Sequence, residues 1–421
     1  MMGKLKDFRV VLDNNKTVYS SGEHVSGVCI VDLRNDMKLR GIRMYMRGLA
    51  KVHWTEQRGI SSTGAYTQKY IAEEEYFYMQ QTLFGKEENE EGANPILRMG
   101  RHELPFRFQI PIGRVATSFE GKYGRVRYWL KAEIDKPWVF NSRTKKAFTV
   151  IDHIDINTPS LLTPVGGDKE KTVCCWFCTS GPINMSARTD RKGYCPGESI
   201  AIMAEFENYS QRRITPKAAL YQRTVFYAGG KSRSVRNSVA TVQGEPIPAG
   251  RIARWDSKML KIPAVTPSLV NCGIIKVEYI LTIYLDISGA MNLYLHLPIV
   301  VGTVPLRAPP YSQCDPLAAL GDVYLHLSGR NRVVPPPPVT PVPPPLNEAP
   351  PSYAECVFGA TDIRDSDDNQ YTVGDTMFTP MYTYVHDYRF IPAAPPPEYS
   401  RDDPNQISIQ TQTEDSREQV S

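Results

Sequence analysis

No run of apolar residues in this 421-residue chain approaches the roughly 18 that a membrane-spanning helix needs, so none is predicted. The stretch Met1 to Val10 mixes charged and apolar residues and lacks a hydrophobic h-region, so a secretory leader is not expected. Gly3 follows two methionines, which misses the N-myristoylation pattern, and Gln419-Val-Ser421 is no prenylation box. The eight cysteines show no regular disulfide spacing, which predicts free thiols in a reducing compartment. Catalytic signatures are missing too: there is no P-loop, His-Glu-x-x-His, Gly-x-Ser-x-Gly or Rossmann fingerprint. The chain is therefore expected not to be an enzyme, with no catalytic residues and no cofactor. Of the seven histidines, His24, His53, His102 and His153 sit in strand or turn contexts without paired ligands. Cys174, Cys175 and Cys178 form a Cys-Cys-x-x-Cys cluster, and Cys195 follows. The second close pair that zinc wants is missing, as is the βαβ context of a redox pair, so no metal site is expected. With Trp176 and Phe177 between them, these cysteines are expected on a strand in or near a domain junction.

Lysine is absent from the last 116 residues. Residues 306–421 hold 7 arginines against 16 carboxylates, a net of −9, which leaves +13 on residues 1–305. A body this basic points to acidic partners, among them an anionic lipid surface or acidic receptor tails. No nucleic-acid-binding signature accompanies the charge, so no nucleic-acid partner is expected. Basic clusters at Arg143-Thr-Lys-Lys146, Arg188 to Lys192 and Lys231 to Arg236 are candidates for that contact. The last 116 residues also carry 19 of the 34 prolines, including Pro335–Pro338 and Pro343–Pro345. Such a segment buries too little apolar surface to offset its ordering entropy, so a disordered, Pro-rich tail over 306–421 is predicted. Within it, Phe378 to Pro392 is an aromatic island, expected to fold onto the body or a partner.

What is present in the body is alternation. Val126, Tyr128, Leu130, Ala132 and Ile134 fall on one side of a strand, with Arg127, Lys131 and Glu133 on the other. Leu104, Phe106, Phe108 and Ile110 alternate likewise, as do Ile200, Ile202, Ala204 and Phe206, then Val277, Tyr279, Leu281, Ile283 and Leu285. Gly, Pro and Asn clusters separate these runs, which predicts an all-β chain of antiparallel sandwiches. A repeat divides it. Tyr19-Ser-Ser-Gly22-Glu23-His-Val25 matches Tyr194-Cys-Pro-Gly197-Glu198-Ser-Ile200, and later Val126-Arg-Tyr128 matches Val277-Glu-Tyr279. Each repeated glycine is expected to take a positive φ at a tight turn before a strand.

Several longer segments then resemble one family. They include Ala116-Thr-Ser-Phe-Glu-Gly-Lys-Tyr-Gly124, Val126-Arg-Tyr-Trp129, His153-Ile-Asp-Ile-Asn-Thr-Pro-Ser-Leu-Leu162 and Cys174-Cys-Trp-Phe-Cys-Thr-Ser-Gly-Pro182. Arg191-Lys-Gly-Tyr194, Pro216-Lys-Ala-Ala219, Ala349-Pro-Pro-Ser-Tyr353 and Pro396-Pro-Glu-Tyr399 continue the series. In segment order the chain is similar to the α-arrestins, the arrestin-domain-containing proteins, in the subgroup that includes the thioredoxin-interacting protein. The resemblance implies two tandem arrestin-type β-sandwich domains, 8–157 and 178–305, followed by the tail. It implies an adaptor that brings HECT-type ubiquitin ligases to membrane receptors or transporters for endocytosis and lysosomal sorting. The expected location is cytoplasmic, peripheral at the plasma membrane and endosomes. The alternative it carries is thioredoxin binding, which in the thioredoxin-interacting relative uses a cysteine shortly before a Trp. Here the matching stretch, Ala249-Gly-Arg-Ile-Ala-Arg-Trp255, has no cysteine.

Two Pro-Pro-x-Tyr motifs supply the candidate site: Pro350, Pro351 and Tyr353, then Pro396, Pro397 and Tyr399. Paired prolines hold the backbone near polyproline II, so little entropy is lost on docking, and the Tyr ring fills a pocket beside an aromatic-lined WW groove. The tyrosines are 46 positions apart. As a flexible coil that separation spans roughly 35–40 Å, which suits two WW domains of one ligase.

Overall fold

A computed structural model describes residues 4–307 except 62, 63, 89, 114, 176 and 177, and residues 353–355, 359–365, 368 and 372–386 of the tail. Apart from a 3-10 turn at Asp13–Asn15 and one helical turn at Pro159–Leu162, the regular structure there is strand. No helix among the described residues is long and apolar enough to cross a membrane.

The alternating runs become strands with their apolar sides inward. In the first sandwich one sheet runs in the order Leu5–Leu12, His24–Leu33, Gly100–Gln109. The other runs Val18–Ser20, Ser142–Ile151, Gly124–Asp135, Gly41–Ser61, Gly64–Gly85. Val126, Tyr128, Leu130, Ala132 and Ile134 are buried together, with Phe106, Phe108 and Ile110 opposite. The second sandwich pairs Gly166–Cys175, Cys178–Thr189, Ser199–Asn208 and Arg251–Lys261 in one sheet. Its other sheet runs Gly193–Tyr194, Leu293–Val301, Ile275–Ile287, Ile214–Ala228, Lys231–Gln243. Ile200, Ile202, Ala204, Phe206 and the set Val277 to Leu285 fill its core. Each fully buried aliphatic or aromatic side chain contributes about 1.5–3 kcal/mol through water release.

The repeat is visible atom by atom. Gly22 and Gly197 take φ of +82° and +93°, as their turn position requires. Glu23 accepts the Ser20 N–H at 2.8 Å, and Glu198 accepts the Cys195 N–H at 2.7 Å. The short strand holding Tyr19 runs parallel to Thr149–Ile151, and the one holding Tyr194 runs parallel to Val300–Val301. Ser118 and Val150 exchange two hydrogen bonds at 2.8 and 2.9 Å, and Ser268 and Val301 repeat them at 2.8 and 3.0 Å.

The two core tyrosines also correspond, with one difference. The Tyr128 hydroxyl donates to the Ala116 carbonyl at 2.6 Å. The Tyr279 hydroxyl donates to the Thr266 carbonyl and also accepts from Gln222 Nε2 at 2.7 Å. Replacing Tyr128 by Phe strands one buried group and is expected to cost about 1–1.5 kcal/mol. Tyr279→Phe strands two and is expected to cost about 2–3 kcal/mol. The two hydroxyls bond to different carbonyls, so the double variant should be close to additive. Urea unfolding of the three variants checks the order.

The sandwiches meet at named side chains. The Phe226 ring lies 5.8 Å from Tyr123 and 6.4 Å from Phe119, centroid to centroid. Glu74 accepts the Gly273 N–H at 2.7 Å, and Asn271 donates to Asp152 at 2.6 Å. The cysteine cluster does not belong to this junction. It lies on strands, as expected, but Cys175 faces Cys178 at the tip of a hairpin whose other end pairs Gly166 with Arg188, next to the interdomain linker. A ladder of this length carries the cysteines to the far end of the sheet.

Candidate functional site

Part of the proline-rich tail packs on the body. Thr372–Val373 pairs in parallel with Arg143 and Thr144, at the edge of the first sandwich's five-stranded sheet. Two short antiparallel ladders hold the segment together: Thr361–Asp362 with Met377–Phe378, and Tyr353–Glu355 with Met381–Thr383. Composition alone reads this stretch as unfolded, because its apolar residues are few. Ile363, Phe378 and Tyr382 suffice here because each is buried. The aromatic island thus folds onto the body over Phe378 to His386, while 387–392 lie outside the described residues.

Charge does the rest. Lys145 is only 2% exposed. Its Nζ donates to the Ile363 carbonyl at 3.0 Å, to Asp365 at 3.0 Å and to Asp368 at 3.1 Å. It also stands 4.7 Å above the Trp129 ring. Arg125 reaches the other oxygen of Asp365 at 2.5 Å. Arg127, on the side of its strand opposite the apolar set, is itself buried, against Glu120 with Nη2 to Oε2 at 3.0 Å. Lys146 faces Asp375 at 3.8 Å, and Arg143 pairs with Glu133 within the sheet. The cluster Arg143 to Lys146, a candidate for a membrane or receptor contact, is therefore turned largely toward the chain's own acidic tail.

Burial alone would push the Asp365 carboxyl up, but Lys145 and Arg125 outweigh it and hold its pKa below the ordinary carboxylate range. A depressed folded pKa means stability that is present above the unfolded value, about 4, and lost as pH falls through the folded one. Acidification below about pH 4 is expected to free the segment. Methyl NMR of Met377 and Met381 checks this: their signals should move toward random-coil positions on acidification, and less so in Asp365→Asn.

The end of the docked segment touches both sandwiches. Met381 N–H donates to Thr149 Oγ1 at 3.2 Å. The Tyr382 hydroxyl donates to the Ser118 carbonyl at 2.9 Å and accepts from Thr266 Oγ1 at 3.3 Å. Val385 N–H donates to the Pro196 carbonyl at 2.8 Å, inside the second copy of the repeated turn. A Cβ at Gly197 would collide with the Val385 carbonyl oxygen, so that glycine serves close approach as well as positive φ. Tyr382 therefore clasps the two domains, at Ser118 in the first and at Thr266, the counterpart of Ala116, in the second.

Of the sequence-derived WW-binding residues, Tyr353 lies in a strand with its backbone opposite Thr383. Pro350, Pro351, Pro396, Pro397 and Tyr399 lie outside the described residues. The ladder changes the spacing argument. Thr383 stands beside Tyr353, so only 16 positions of chain separate that point from Tyr399, a reach of at most about 55 Å. Motif reading missed Arg125, Asp365 and Asp368; Lys145 was flagged only as part of the basic cluster Arg143 to Lys146, and Tyr382 only as part of the aromatic island.

Among the described residues no group of three or more His, Cys, Asp or Glu is placed to hold a metal. Cys29, Cys195 and Cys272 are buried. Burial pushes the Cys29 thiol up to about 12 and raises the other two, so all three are poor nucleophiles. Trp255 packs edge-on against Phe206 at 5.1 Å.

Comparison with known proteins agrees with this architecture. Residues 8–157 match the family "Arrestin (or S-antigen), N-terminal domain", and residues 179–306 match "Arrestin (or S-antigen), C-terminal domain". The chain is 38% identical to arrestin domain-containing protein 4 of Homo sapiens, over 97% of this chain and 94% of that protein. It is 34% identical to thioredoxin-interacting protein of Mus musculus, over 96% of each.

Proposed function

The chain belongs to the α-arrestin family of adaptors, and on that premise we propose that it recruits WW-domain HECT-type ubiquitin ligases to membrane receptors or transporters. The observation that carries the reading is the pair of Pro-Pro-x-Tyr motifs, the first ending at Tyr353 in a ladder of the docked segment and the second following that segment in sequence. The sandwiches select cargo, and the motifs bring the ligase, so that cargo is ubiquitinated, internalised and sorted to lysosomes from the plasma membrane and endosomes. The physical logic is effective concentration: one chain holds two partners within reach, and two motifs on one ligase add avidity. The test is a pull-down from cells with a tandem-WW ligase and with a cargo receptor, using the parent chain and the motif variants treated below.

Docking has a consequence for this recruitment. A WW groove takes Pro-Pro-x-Tyr as polyproline II with the Tyr ring inserted, whereas the Tyr353 backbone is occupied by Thr383. Engagement at the first motif therefore opens the Tyr353–Glu355 ladder. Thioredoxin interaction, named in the second relative, draws no support from the stretch before Trp255, which lacks a cysteine.

A further inference from the structure

Turns between strands are normally built from Gly, Asn, Asp, Ser and Pro. The turn joining Gly124–Asp135 to Ser142–Ile151 is Lys136-Pro-Trp-Val-Phe-Asn141, with three large apolar residues in a row. Trp138 is 97% exposed, Phe140 70% and Val139 43%. Trp138 also takes a φ of +64°, a left-handed conformation that a bulky residue rarely adopts. The turn is held in this shape. Asn141 Oδ1 accepts the Lys136 N–H at 3.1 Å, Asn141 Nδ2 donates to Glu133 at 2.7 Å, and Lys136 Nζ donates to Ser142 Oγ at 2.7 Å. Strain retained by a pinned turn that presents an indole to solvent calls for a role outside the core.

The surroundings indicate the occupant. Trp138, Val139 and Phe140 border a groove of about 1350 Å³ along the Leu5–Leu12 strand. Lys6, Arg9 and Lys136 line it; Lys6 pairs with Asp32 at 2.8 Å and Arg9 with Asp7 at 3.2 Å, yet both cationic side chains stay more than half exposed and open to a further anion. The body that carries it has a net charge of +13. Trp and Phe on a protruding apex, backed by lysine and arginine stems, is the combination that settles at a lipid–water boundary. The rings enter the headgroup region while the cations meet anionic headgroups. We propose that the hairpin at residues 136–141 is a membrane-contact tip for anionic lipid, seating the first sandwich on the bilayer that holds the cargo. This deepens the adaptor reading by naming the surface that meets the membrane. It is independent of the tyrosine motifs.

The experiment is co-sedimentation of the full chain with phosphatidylcholine vesicles, with and without phosphatidylserine. The parent should bind the phosphatidylserine vesicles, weakly or not at all the neutral ones, and lose binding as salt rises. Trp138→Ser/Phe140→Ser should bind at least about tenfold more weakly, since two interfacial aromatics are removed. It should keep its unfolding midpoint and its WW binding, so failure of the tip and failure of ligase recruitment are read separately. Trp138→Phe should still sediment but lose the blue shift of tryptophan emission seen on adding vesicles. Sedimentation of the double Ser variant like the parent would overturn the proposal. So would a parent that ignores phosphatidylserine vesicles. Loss of a protein partner by the double Ser variant with vesicle binding unchanged would likewise overturn it, assigning the tip to that protein.

Discussion

Tyr353→Ala combined with Tyr399→Ala is expected to abolish co-precipitation of a tandem-WW ligase, while either change alone weakens it. On the proposed reading the ring of each tyrosine fills the pocket beside the proline groove, and alanine leaves that pocket empty and wet. With two motifs engaged by linked WW domains, the second contact is intramolecular, so avidity exceeds either affinity by about 10²–10⁴-fold. Losing one motif removes that gain, and losing both removes recognition altogether. The two single variants should differ. Tyr353 must leave its ladder with Met381–Thr383 before it can dock, so part of its intrinsic affinity is spent on opening. Tyr399→Ala, which leaves only the constrained motif, should therefore be the weaker binder of the two. Equal and undiminished recovery of ligase by all three variants would refute the motif assignment.

Lys145→Met is expected to release the docked tail. The ammonium group neutralises Asp365 and Asp368 and caps the Ile363 carbonyl in a setting nearly closed to water. Asp368 has a side chain only 4% exposed. Removing one partner of a buried ion cluster costs about 3–5 kcal/mol, because the remaining charge is left unpaired. Solvent access to Asp365 and the remaining Arg125 contact place the expected value at the low end, about 3 kcal/mol. That is a shift of roughly a hundredfold in the docking equilibrium. Hydrogen exchange across residues 372–386 should accelerate accordingly, while the strands at 126–134 keep their protection. The same variant should bind a single WW domain more tightly at Tyr353, since the opening cost has been removed. Adding Asp368→Asn should recover part of the loss, which a simple packing defect would not allow.

The strands and the duplication were legible because their physics is local. Period-2 alternation places Val126 to Ile134 inward wherever the sheet lies, and Tyr-x-x-Gly-Glu writes its own turn through a positive φ and a carboxylate that accepts a nearby N–H. The tail contact was not legible, because its partners lie more than a hundred positions apart, 116 for Thr266 and Tyr382 and 220 for Lys145 and Asp365, and no periodicity links them. Arg127 and Lys145 look like ordinary solvated positions on alternating strands. Glu120, Asp365 and Asp368 make them interior. The cysteine cluster differs for a related reason: it is close to the interdomain linker in sequence, but the ten-residue strand Gly166–Cys175 carries it to the far end of the sheet. The Pro-Pro-x-Tyr motifs are short, self-contained codes, so the sequence displays them whole. It does not display that Tyr353 is tied to Thr383.

The most direct test is hydrogen exchange on the intact chain, with and without a saturating WW protein. Handover of the tail to the ligase predicts that amides at 352–353 and 398–399 slow on binding while those at 381–383 speed up as the ladder opens. Unchanged exchange at both tyrosine motifs in the presence of WW protein would contradict the account.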